Sequence, residues 1–128
     1  MKPLWAGFSF IEMIITVAII GALSAIALPS YYQYLRETRR TDAYIALTLA
    51  AAEQERAYAI NNAFISDISA LGGSLSKEGF YTLSVAVSGA SYMLTATAIP
   101  NKAQGTDSDC LILTLNHQGI KAPTACWR

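Results

Sequence analysis

Residues 8–28 read FSFIEMIITVAIIGALSAIAL, and Glu12 is the only ionisable side chain among them. Twenty-one helical residues at 1.5 Å each cover about 31 Å, the thickness of a bilayer's hydrocarbon core. Gly21 weakens a helix mildly and is tolerated in a membrane span. Pro29 follows the apolar run, and Tyr31, Tyr32 and Tyr34 fall where an interfacial aromatic belt would lie. On this evidence the segment is either a plain membrane anchor or a secretory signal cut after Ala25-Ile26-Ala27, which satisfies the small-x-small rule. The length of the run and the carboxylate inside it count against the second reading. Glu12 itself either snorkels or is protonated near the edge of the span, or it awaits a positive partner from another subunit, because an unpaired charge in lipid is costly.

Beyond Leu28 the composition is that of an ordinary soluble domain. The 128-residue chain carries nine basic and nine acidic residues, for a formal net charge of zero, so bulk charge does not point to a polyanionic partner. Lys2 precedes the apolar run, whereas Arg36, Arg39 and Arg40 follow it. A positive-inside count would therefore leave the larger part of the chain in the cytoplasm. Cys110 and Cys126 argue the other way. Their spacing fits no zinc motif, and His117 is the only histidine. The pair is read as a disulfide, with two buried free thiols as the alternative. A disulfide there would contribute about 3 kcal/mol by chain entropy and would place the domain in an oxidising compartment.

The stretch Gly7-Phe8-Ser9-Phe10-Ile11-Glu12 resembles the signal of type IV prepilins: a short basic leader ending in glycine, then phenylalanine, then glutamate at the fifth mature position. The resemblance implies a leader at 1–7, cleavage between Gly7 and Phe8 by a dedicated inner-membrane peptidase, and N-methylation of Phe8. The membrane helix (8–29) would be retained, with Gly21 and Pro29 as helix-loosening kink positions, as pilins usually carry. Asp109-Cys110 and the ending Cys126-Trp127-Arg128 look closest to PilE-like minor pilins. Secretion pseudopilins share the same N-terminal signal and remain an alternative, as does an adhesive or DNA-binding tip pilin. The resemblance implies further partners: other pilin subunits, the assembly machinery of the inner membrane, and lipid before assembly. The domain would be periplasmic first and extracellular, in a filament, afterwards. In that setting Glu12 would meet the terminal amine of a neighbouring Phe8 in apolar surroundings, which fixes register.

The fold class expected is α+β, a long helix packed on a small antiparallel sheet. Residues 30–61 are rich in Ala, Leu, Glu and Arg without Gly or Pro, and continue the helix. An apolar stripe of Tyr34, Leu35, Ala43, Ile45, Leu49, Ala52 and Tyr58 is expected to face the sheet. The head, 62–128, opens with a loop to 79 that includes a helical turn near Ile68–Leu71. Strands are expected at 80–87, 91–99 and 110–115, with a hairpin turn at Ser88-Gly89-Ala90 and a short edge segment after Gly119.

Arg36, Arg39 and Arg40 are read as one basic cluster, either a solvated or headgroup-facing surface or a contact for DNA. Trp127 is expected to pack under the C-terminal loop, with a partner-facing role as the alternative. His117 has neither triad nor metal company, and no phosphate loop or paired catalytic carboxylates occur, so neither an enzyme nor a cofactor or metal site is expected.

Overall fold

The computed structural model describes residues 7–128; Lys2 and the other residues of the expected leader up to residue 6 lie outside the described residues. One helix, α1, covers Phe10–Asn61 and is followed by four strands: β1 (Tyr81–Ser88), β2 (Ser91–Ala98), β3 (Ile112–Asn116) and β4 (Lys121–Ala122). The chain divides into two compact units, one ending at Tyr34 and the other comprising Leu35–Arg128.

In the first unit, α1 runs through Gly21 and Pro29 without interruption. Pro29 has no N–H, so the carbonyl of Ala25 lacks its helical donor. The large apolar side chains here, from Phe8 to Leu28, are about half exposed or more. This part of α1 is long and apolar enough to cross a bilayer.

The second unit is a four-stranded antiparallel sheet in the order β1-β2-β3-β4, packed on the remaining turns of α1. Alternation along the strands gives one inward face: Leu83, Ala96 and Leu113 form one row across the sheet, and Val85, Leu94 and Leu115 the next. The helix meets them with Ala43, Leu47, Ala50, Gln54 and Ala57, all buried. These positions follow i, i+4, i+7, i+11, i+14, a single face of the helix. The expected stripe is therefore displaced. Ile45 and Leu49 are 51% and 62% exposed, because three alanines on the buried face let the sheet approach where larger side chains would hold it off.

The strands lie within two residues of the expected limits. Ser88 pairs with Ser91, so β1 and β2 join through Gly89-Ala90, and Gly89 takes φ 57° at the first turn position. The loop between β2 and β3 contains a 3-10 turn, Ala103–Thr106. A Cβ on Gly105 would stand 2.4 Å from the Pro100 carbonyl oxygen, so glycine alone fits that close approach. Another 3-10 turn, Ile68–Leu71, appears where expected and is capped by the Asp67 carboxylate, which accepts from the Ser69 N–H. Cys110 and Cys126 are joined as a disulfide.

Candidate functional site

The sequence-predicted residues occupy two separate places. In the first unit, Gly7 and Phe8 precede the helix and Phe8 is 82% exposed. Glu12 sits in the first turn of α1, where the unpaired N–H groups of the helix end favour a carboxylate. Its backbone carbonyl accepts a hydrogen bond from the Thr16 hydroxyl at 2.7 Å. Phe8 and Glu12 are four residues apart in sequence, Phe8 just before the helix and Glu12 in its first turn. Around them stand Phe10, Ile11, Met13, Ile14 and Ile15, all exposed.

In the second unit the three arginines have different fates. Arg40 is not part of a solvated surface, because its guanidinium forms a two-pronged ion pair with Asp107, and the two side chains are only 13% and 6% exposed. The hydrogen bond to that carboxylate raises the Arg40 pKa above its ordinary value, against the opposing effect of burial. Gln104, fully buried, donates to the Tyr81 hydroxyl at 2.8 Å and to the Arg36 carbonyl at 3.1 Å. Burial raises the Tyr81 pKa. Arg36 thus contributes its backbone to this network. Arg39 is half-buried, with its guanidinium carbon 5.3 Å from the centre of the Phe80 ring.

Two further polar anchors lie on α1. The buried Asp42 carboxylate accepts from the Ser76 hydroxyl at 2.5 Å and from the N–H groups of Glu78 and Phe80 at 3.0 and 3.4 Å. The Gln54 amide both donates to the Ile65 carbonyl and accepts from its N–H, at 2.6 and 2.7 Å. Neither residue was expected to be functional. The available signal was their spacing from Ala43, Leu47, Ala50 and Ala57, which puts them beside or within the buried face. Trp127 stacks on Tyr44 with ring centres 4.8 Å apart, and the Tyr44 hydroxyl donates to the Cys126 carbonyl. His117 is exposed, edge-on to Tyr92. Among the described residues, no group of three or more His, Cys, Asp and Glu side chains is placed to hold a metal ion.

A long apolar-then-amphipathic helix, an antiparallel sheet laid on its second part and a C-terminal disulfide together define a type IV pilin, a structural rather than catalytic class of fold. A solved type IV pilin from Shewanella oneidensis is similar, with a TM-score of 0.58 and 26% identity over 73% of this chain and 98% of that one. The family model described as type IV minor pilin ComP, DNA uptake sequence receptor, matches residues 29–114, and the chain belongs to that minor pilin family. Fimbrial protein EcpC of Eikenella corrodens is 33% identical over 99 residues, 76% of this chain and 65% of that protein. A type IV major fimbrial protein FimA of Dichelobacter nodosus is 51% identical over 39 residues, 30% of this chain and 25% of its own length. The chain thus spans just under two-thirds of the first of these relatives and a quarter of the second.

Proposed function

We propose that this chain is a minor subunit of a type IV pilus, made as a precursor held in the inner membrane by its N-terminal helix. The peptidase cuts between Gly7 and Phe8 and methylates Phe8, and the assembly machinery then moves the helix from lipid into the filament core. One observation carries this reading: Glu12, the lone ionisable side chain in residues 8–28, sits in the first helical turn among exposed apolar side chains. In lipid or in a helical core that carboxylate needs a cation, and the amine freed at Phe8 of a neighbouring subunit supplies one. Leaving either charge unmatched is costly, so the pair fixes the axial register while Ile, Val and Leu side chains supply cohesion. The Cys110–Cys126 disulfide supports a periplasmic domain before assembly. The mass of the mature N-terminus tests this. A chain beginning at methylated Phe8 is expected; one that keeps its first seven residues, or begins after Ala27, refutes the reading.

A second reading, reception of DNA during uptake, is favoured by the match over residues 29–114 to a minor pilin family whose description names a DNA uptake sequence receptor. The same match supports a pilus subunit over a secretion pseudopilin.

A further inference from the structure

Resting on the DNA reading above, we infer that the groove between α1 and the segment 77–80 holds the phosphate backbone of DNA without reading its sequence. Thr38, Arg39, Thr41 and Ile45 form the helical wall of this groove, Lys77, Glu78 and Phe80 the other, and its volume is about 440 Å³. Arg39 lies against Phe80 on one side. Lys102, from the β2–β3 loop, lies beside the 77–80 segment, its Nζ 3.6 Å from where a Cβ on Gly79 would stand.

Pairing sorts the basic residues. Arg40 is neutralised by Asp107, and Arg56 approaches Glu53 at 3.9 Å. Among the described residues, Arg39, Lys77 and Lys102 have no carboxylate within 4.0 Å. Two carboxylates lie at the same groove. Asp42 is buried and turned onto the Ser76 hydroxyl and two backbone N–H groups, so the one a ligand meets is the exposed Glu78. In a chain of zero net charge, three unpaired cations drawn from a helix and two loops are a local concentration suited to a polyanion. Arg39 and Lys77 line a space larger than one phosphate fills and Lys102 lies beside its 77–80 wall, which suits consecutive phosphates of a strand. The surface is concave, so it cannot enter a DNA groove to reach base edges, and no Asn or Gln lines it.

Binding of two unrelated labelled duplexes to the full chain in detergent, titrated between about 50 and 200 mM salt, tests this. Each phosphate contact contributes about −0.9 to the slope of log K on log salt. The variant R39Q/K77Q/K102Q is expected to lower that slope by about 2.7 for both duplexes, and K77Q/K102Q by about 1.8. The double variant changes only exposed side chains and guards against misfolding. R56Q is expected to leave the slope unchanged. A wild-type slope in both groove variants overturns the groove assignment and leaves the DNA reading standing, whereas a wild-type chain that binds neither duplex removes both. A loss confined to one duplex overturns sequence independence. If the variants lose binding to anionic vesicles but not to DNA, the groove belongs to lipid headgroups and the inference fails.

Discussion

Arg40 grips Asp107 through two parallel hydrogen bonds, Nε to Oδ2 at 2.8 Å and Nη2 to Oδ1 at 2.9 Å, joining residues 67 positions apart. The pair ties the loop after β2 to α1, and Gln104 extends the tie to Tyr81 and to the Arg36 carbonyl. Removing one partner strands the other in a poorly solvated place, which costs about 3 kcal/mol. Asp107→Ala is therefore expected to lower the urea midpoint sharply. Pairing it with Arg40→Met should recover part of the loss, because no buried charge is then left alone. A double variant no more stable than Asp107→Ala would contradict this.

Gln54 occupies the centre of the buried helix face and serves both backbone groups of Ile65. Gln54→Leu keeps the apolar packing but leaves an N–H and a carbonyl unpaired, at about 2 kcal/mol. Hydrogen exchange at the Ile65 amide is expected to quicken more than exchange in β2. Equal quickening in both would mean that the residue only fills space.

Alkaline pH should destabilise the second unit through its tyrosines. Tyr92 is 4% exposed and its pKa is pushed up to about 12, first by burial and then by its hydrogen bond to Glu55. The folded chain therefore keeps a proton that the unfolded chain releases near the ordinary value of about 10. Stability is fully present below pH 10 and falls as pH rises toward 12, by at most about 3 kcal/mol from this group. Tyr92→Phe is expected to flatten the denaturation profile over that window. Tyr44 and Tyr81, also raised by burial, keep some slope of the same sign.

For the proposed assembly role, Glu12→Val is expected to insert into the membrane and be cut normally yet enter pili poorly beside wild-type partners. The ratio of variant to wild-type chain in sheared pili measures this. Equal incorporation would remove the register role from Glu12.

Much of this architecture was readable in advance because its signals are periodic or punctuated. An unbroken apolar run gave the first part of the helix, two-residue alternation gave β1 and β2, and Gly89 marked their turn. The failures share one cause. The buried face of α1 is built from alanines and a glutamine, whereas the larger Ile45 and Leu49, which any hydrophobic count favours, point outward. Small side chains win here because close packing of helix on sheet depends on fit as well as on hydrophobicity. No motif or periodicity singles out Asp42, Gln54, Gln104 and Asp107. Their partners are mostly backbone groups or side chains distant in sequence, which spacing alone does not reveal. The three arginines seemed equivalent as a string and are not, since only Arg40 faces Asp107.

The outermost strand of the sheet, β4, is two residues long and is followed directly by Pro123. At the opposite rim, the bridge between Leu75 and Thr82 covers the start of β1. A border so short, ending in a residue without an amide hydrogen, offers little template for strand addition. In the proposed filament, heads crowded side by side would thereby be discouraged from zipping together into cross-β aggregates, which leaves polymerisation to the helices.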